Sequence, residues 1–379
     1  MGANMRFRVL VLGGYGTFGE RICRTLSADS TIRVILAGRD GARASRLAVR
    51  LQEGYPGCGA EYLACDAGHS RLGWLLAMQR IDAVINTAGP FQGQDYRVAR
   101  ACISAGSHYI DLADARDYVC GFTALDSMAR EHGVLAITGA SSVPALSAAV
   151  VDVLSSDLQP LETIEYGISP GNRTPRGIAT ARSILSYCGQ PFRQWRSGEW
   201  RPAVGWQGLA RHHYPAPLGA RWLSFCDIPD LAIFPARYPG VRDVVFRAGL
   251  ELSLLHLGTW SLSWLARAGL VRSWARYAKP LTRMSEWLQS FGTDTGGMHV
   301  AVTGTDRDNR PIRKTWTLIA RHGDGPQVPC TASVVLARKL AHRELVARGA
   351  MPCVGMLTLD ELTDAMKGFA IDHQTLTET

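Results

Sequence analysis

The chain has 379 residues, 46% hydrophobic and 20% charged, an ordinary globular balance with room for two domains and sizeable cores. Its net charge of +8 rests on 37 arginines and four lysines scattered along the chain, which argues against a nucleic-acid surface. Nine cysteines, odd in number and without a C-x-x-C pair, argue against a disulfide framework and a zinc site; no metal is expected, and the thiols point to a reducing compartment.

Arg6 to Leu12 is an apolar run that reads as a buried parallel strand. Gly13-Gly14-Tyr15-Gly16-Thr17-Phe18-Gly19 follows, with Gly14, Gly16 and Gly19 in G-x-G-x-x-G spacing, and Glu20 to Leu26 continues with helical periodicity. Strand, glycine turn and helix arrive in the order that a dinucleotide needs. The first glycine permits the tight turn, the second lets backbone approach a pyrophosphate, and the third lets helix and strand pack closely. The helix N-terminus then offers N–H groups and partial positive charge to the phosphates. Ile32 to Ala37 reads as the second strand, with a helix from about Ala42 to Glu53. Glu61 to Cys65 is a short third strand, and Leu72 to Met78 is helical. Ile81 to Asn86 is the fourth strand, a helix spans about Tyr96 to Ala105, and His108 to Leu112 is the fifth strand. One helix is predicted from about Arg116 to His132, then a sixth strand from Val134 to Thr138. This alternation predicts right-handed crossovers and a doubly wound, Rossmann-type parallel sheet over residues 1–145.

Beyond Pro144 the rhythm changes. Ala145 to Leu158 and Ala179 to Tyr187 read as helices, and Thr163 to Ile168 as a half-exposed strand. His299 to Thr303 and Pro311 to Arg321 read as antiparallel strands around an Asp306–Asn309 turn. Pro191 to Pro239, rich in Pro, Trp and Gly, supports only loops and short elements. Residues 146–328 are therefore expected to form an α+β substrate and dimerisation domain with a mixed or antiparallel sheet. Residues 329–379, with helices at Thr331–Ala347 and Leu359–Met366, are expected to return to the nucleotide domain. Leu250 to Val271 is apolar but interrupted by Glu251, His256 and Arg267, so a spanning helix is not expected. Trp260, Trp264 and Trp274 with nearby arginines allow an interfacial helix; a core or dimer-interface helix is the favoured reading. The N-terminus runs almost directly into a strand, so no signal peptide and a cytoplasmic location are expected.

Arg39 stands about twenty positions past Gly19, where an acidic residue would bind the ribose 2′-hydroxyl of NAD. An arginine there matches the 2′-phosphate of NADP; the adjacent Asp40 keeps NAD open. Asp66, after the third strand, either reaches adenine or caps the next helix. Thr87-Ala88-Gly89-Pro90 leaves the fourth strand at its carboxyl end, where open α/β sheets bind ligands. Ser141 and Ser142, after the sixth strand, either bond a nicotinamide carboxamide or, for Ser142, cap a helix. Asp111 and His108 are the catalytic candidates, Asp111 as amine-orienting group or proton acceptor. The alternative is a helix-capping aspartate and a buried, hydrogen-bonded histidine. His212 and His213 lack recognisable metal-ligand spacing.

Gly13 to Gly19, Ala37-Gly38-Arg39, Asn86 to Phe91, Ala101-Cys102, Gly106 to Leu112 and Gly139 to Ser147 together resemble the NADP-binding domain of the saccharopine dehydrogenase family. Gly325 to Pro329 and Gly349 to Gly355 are similar to the C-terminal part of less characterised members. The resemblance implies an NAD(P)-dependent oxidoreductase, for which C–N (imine/amine) reduction in an interdomain cleft fits the family, whereas the tryptophan-rich middle fits a more apolar, enoyl-type or lipid-like substrate. A homodimer is expected, without nucleic acid, and peripheral membrane contact is the less favoured expectation. The competing reading is a non-catalytic NADP(H) sensor or a membrane-associated scaffold.

Overall fold

The computed structural model describes residues 6–175 and 177–378. It contains sixteen strands among the described residues. In the first third these are β1 (Phe7–Leu12), β2 (Ile32–Gly38), β3 (Glu61–Ala64), β4 (Ala83–Asn86), β5 (His108–Asp111) and β6 (Leu135–Thr138). There follow β7 (Leu161–Ser169), β8 (Pro191–Arg196), β9 (Glu199–Val204), β10 (Ala210–His213), β11 (Ala220–Phe225) and β12 (Asp243–Ala248). The last four are β13 (Gly296–Thr305), β14 (Pro311–Ala320), β15 (Gly349–Pro352) and β16 (Ile371–Glu378). The chain divides into two units: Met1–Leu146 with Gln327–Ala365, and Ser147–Pro326 with Met366–Thr379.

The first unit is a seven-stranded sheet in the order β15-β6-β5-β4-β1-β2-β3, parallel throughout. Val9 to Leu12 in β1 and all of β4 are buried, as strands covered on both faces must be. The helix Gly19–Ser27 buries Ile22, Cys23 and Leu26 as one stripe. The helix Gly41–Gly54 is N-capped by Asp40, whose carboxylate accepts from the Arg43 amide at 3.0 Å. The order is doubly wound, with its reversal between β1 and β4, so the carboxyl ends of those two strands flank the ligand crevice of such sheets.

Three features of this unit depart from the predicted elements. The expected helix over 116–132 is broken into Arg116–Cys120, a tight turn at Phe122–Leu125, and Asp126–Glu131. Gly121 sits at the break, where a Cβ would stand 2.6 Å from the Tyr96 hydroxyl. The C-terminal helix runs Val328–Ala341 and stops at His342, with Arg343 at φ 60°. The chain then adds β15 alongside β6, a short strand without β-branched residues that shows no strand periodicity.

The second unit carries a mixed sheet, β10-β11-β12-β7-β13-β14-β16, in which only β12 and β7 run parallel. Tyr166 on β7 anchors its core between Phe234 and Phe246, with ring centroids 5.9 and 5.1 Å away. The segment 191–239 holds four strands. β8 and β9 form a hairpin closed by Ser197 and Gly198, both at positive φ, which suits the right-handed twist of the strands. β16 pairs along β14, so the last residues belong to this unit and only Gln327–Ala365 returns to the first.

Leu336, fully buried on the helix Val328–Ala341, measures how far that return is integral. Leu336→Ala is expected to cost about 2–5 kcal/mol in urea denaturation of the first unit. A change below about 0.5 kcal/mol would mean the helix is only appended.

Candidate nucleotide-binding site

The turn after β1 is built by backbone contacts that side chains would prevent. Gly13 has φ +77°, and a Cβ on it would meet the Thr87 hydroxyl oxygen at 2.7 Å. A Cβ on Gly14 would meet the Val11 carbonyl at 2.9 Å, and one on Gly19 the Gly13 carbonyl at 2.2 Å. The Gly13 and Gly14 amides donate to the Ala37 carbonyl at 2.8 and 3.1 Å, tying the turn to β2. The Gly16 amide donates to the Gly13 carbonyl at 2.8 Å. Among the described residues, the amides of Tyr15, Thr17 and Phe18 donate to no carbonyl or side chain. Three unspent N–H groups before a helix N-terminus are an anion cradle. The cradle thus fits a pyrophosphate. The Cys330 thiol points to the Phe18 carbonyl at 3.5 Å, so the returning helix buttresses the loop.

At the end of β2, Tyr15 lies flat on Gly38: a Cβ there would stand 2.4 Å from its ring. The Asp40 amide donates to the Tyr15 hydroxyl at 2.9 Å, and the Arg43 guanidinium lies 4.8 Å from the ring centre. Oδ1 of the Asp40 carboxylate caps the helix, and its other oxygen stays able to accept a ribose hydroxyl. Arg39 is exposed and has no ion pair or hydrogen bond among the described residues. The Arg43 guanidinium thus stands over Tyr15, and the exposed Arg39 lies in the sequence between Gly38 and Asp40, both of which touch that tyrosine. Arg43 escapes a sequence search because the fingerprint ends at the strand. Its signal is the four-residue spacing from Arg39 into the first helical turn. Asp66 neither caps a helix nor stands free, since its carboxylate accepts from the Gly68 amide at 2.9 Å.

Beyond β4 the backbone turns sharply. Asn86 accepts from the Ala88 amide at 3.0 Å, and Thr87 donates its hydroxyl to the Leu12 carbonyl at 2.7 Å. The Gly89–Pro90 bond is cis, and Gln94 donates to the Pro90 carbonyl at 2.5 Å. Thr87 to Pro90 thus lie directly beside the glycine turn. Asp111, at the carboxyl end of β5 opposite Asn86, is fully buried. One oxygen, Oδ1, accepts from the Ala113 amide (3.0 Å), the Thr138 hydroxyl (2.8 Å) and the Gly139 amide (2.9 Å). Oδ2 has no hydrogen-bond partner among the described residues. Asp111 therefore fastens the loop after β6, which leads to Ser141, to the end of β5. Burial lifts its carboxyl to about 6 against the pull of those hydrogen bonds. His108 stands apart from the others, at the amino end of the same strand. It accepts the Leu135 amide at 2.9 Å, and burial with the nearby Arg348 charge lowers it to about 4. Asp114, just past the carboxyl end of β5, is partly exposed, with one oxygen accepting from Gln92 at 3.0 Å.

The Asp111 carboxyl is raised from 3.8 to about 6 on folding, so the native state holds its proton more tightly than the unfolded chain. Its contribution is fully present below pH 3.8 and is lost as pH rises through about 6. Asp111→Asn keeps the Oδ1 acceptor and removes the titration. Relative to this variant, the wild type is expected to lose up to about 3 kcal/mol between the two pH limits in urea titrations. Parallel pH profiles for the two proteins would contradict the assignment.

The family model for the saccharopine dehydrogenase NADP binding domain matches residues 9–152. No curated protein matches the chain in sequence. Among solved structures, the apo histidine-tagged saccharopine dehydrogenase (L-Glu forming) of Saccharomyces cerevisiae superposes with a TM-score of 0.69 at 13% identity. It covers 97% of this chain and 99% of its own. At that identity the likeness is one of fold. Biliverdin reductase of Synechocystis, solved with biliverdin and NADP+, is more distant, with a TM-score of 0.41 at 12% identity over 95% and 96% of the two chains. Residues 9–152 thus match the NADP binding domain of saccharopine dehydrogenase, and the chain shares the fold of that enzyme.

Proposed function

We propose that the chain catalyses NADP-dependent hydride transfer to or from a C–N bond of a small molecule, the chemistry for which saccharopine dehydrogenase is named. The reading is carried by the glycine turn, where backbone amides of Tyr15, Thr17 and Phe18 stand unspent and Tyr15 carries the Arg43 guanidinium over its ring. NADP, when bound, supplies or accepts the hydride. Gly13 to Gly19 hold the diphosphate, while Arg39 and Arg43 hold the 2′-phosphate with Tyr15 as the platform between them. Thr87 to Pro90 and Ser141 border the nicotinamide end. Asp111 is a positioning residue: fully buried, it acts through the Gly139 to Ser141 loop that it fastens. Asp114 orients the substrate amine or accepts its proton, since it joins a carboxylate at the crevice edge with access to solvent. The conjugated C=C bond of an enoyl substrate is the other acceptor that the same hydride chemistry serves. Cytoplasmic residence and a homodimer complete the proposal.

Two measurements test it. Arg39→Ala with Arg43→Ala is expected to weaken NADPH at least about tenfold while NADH changes less than about twofold, read by nucleotide fluorescence titration. Equal losses for both nucleotides would remove the phosphate role. Asp114→Asn is expected to lower kcat/KM for a reducible imine by about a hundredfold with unchanged NADPH affinity. NADPH binding without turnover on any imine or enoyl compound would support the sensor instead.

A further inference from the structure

We infer that the second unit contains a binding chamber for a long acyl chain with a polar head, formed by the helices Ile178–Ser186, Ser253–Arg267 and Ala278–Trp287. The chamber has a volume of about 800 Å³. Protein interiors rarely leave voids larger than a water molecule, whereas small-molecule sites run to about 300–1,000 Å³. Its wall is carbon: Leu185, Leu250, Leu255, Leu262 and Leu281 line it, with Gly258 leaving one side open. Asn172, Thr174, Glu286 and Gln289 bring polar groups to one end of the lining, and two of the hydroxyls along it turn back on their own helices. The Thr259 hydroxyl donates to the Leu255 carbonyl at 2.9 Å and the Ser285 hydroxyl to the Thr282 carbonyl at 2.8 Å. The buried Thr282 hydroxyl is the exception, without a partner among the described residues.

The chamber has a floor and a mouth. The floor is the cluster of Cys188, Trp206 and Leu250, against which Ile184, Leu255, Leu262 and Trp274 pack. Two of the lining side chains, Leu254 and Met284, are 70% and 56% exposed, so the mouth is apolar as well. A second recess of about 410 Å³ shares Glu286 and Gln289 with the chamber and adds Arg173 and Ser290. The Arg173 guanidinium donates to the Ser290 carbonyl at 2.9 Å through Nη2 and keeps further N–H groups for a head group. An apolar chamber adjoining a small polar recess suits an amphiphile: water gains little from the first, and a hydrocarbon gains nothing from the second.

Gly258 gives a variant that fills the chamber without strain. It is helical, and a Cβ built on it meets nothing within 4 Å. The full-length chain, without nicotinamide nucleotide, is titrated with brominated fatty acids of ten, twelve and fourteen carbons below their micelle concentrations. Quenching of tryptophan fluorescence is followed, Trp206 and Trp274 standing at the floor. Saturable quenching is expected, tightening roughly tenfold for each two carbons until the chamber is full. Gly258→Leu is expected to weaken binding at least tenfold with an equal or higher thermal midpoint, because leucine also favours the helix. Gly258→Ala is expected to keep affinity within threefold. No saturable quenching in the wild type overturns the inference, as does unchanged affinity in Gly258→Leu. Binding to phosphatidylglycerol vesicles without binding of monomeric acid also overturns it, and marks the apolar mouth as a membrane-docking face. Because the titration omits the nucleotide, its outcome is separable from that of the coenzyme proposal.

Discussion

The nucleotide unit depends on one close approach, that of the first residue of a helix to the carbonyl of Gly13. A Cβ at Gly19 would stand 2.2 Å from that oxygen, so the helix can begin where it does only with glycine there. That contact sets where the helix begins, and the amides of Tyr15, Thr17 and Phe18 before it donate to no group among the described residues. Anion recognition at this site follows from how the backbone must pack. Gly13 adds a second constraint from the other side, since its lack of a side chain lets Thr87 reach the Leu12 carbonyl and draws the loop after β4 against the turn.

The same economy runs through the far side of the sheet. A single oxygen of Asp111 collects three donors and joins the ends of β5 and β6. Complete burial outweighs those hydrogen bonds, which is why the carboxyl holds its proton up to about 6. Such a group is suited to holding a loop rather than to exchanging protons with a substrate. Around it Tyr109, Tyr118 and Asn86 form a hydrogen-bonded cluster that keeps water from the strand ends.

The parts of the fold legible in the sequence were those with local causes. The glycine spacing, the six alternating strands of the first unit and the antiparallel pair β13–β14 announce themselves in short windows. Arg39 was visible because the fingerprint has a fixed distance to the end of β2, whereas Arg43 was not, because its role comes from the ring of Tyr15 folding back over Gly38. β15 and β16 lack a signal of their own: one is four residues long, and the other is exposed along nearly its whole length and pairs only because β14 is an available edge. The Ser197-Gly198 hairpin hid among prolines and tryptophans. His108 and Asp111 looked alike in sequence as polar residues on one strand, yet they occupy opposite ends of it. The acyl-chain chamber joins the helix Ile178–Ser186 to the pair Ser253–Arg267 and Ala278–Trp287 much later in the chain, so no window contains it.

The central claim is that the turn after β1 and the arginines after β2 bind NADP. Isothermal titration of the purified, folded chain with NADPH tests it most directly. The account predicts a saturable one-site isotherm, tighter for NADPH than for NADH. The absence of heat with either reduced nucleotide at millimolar concentration would contradict it.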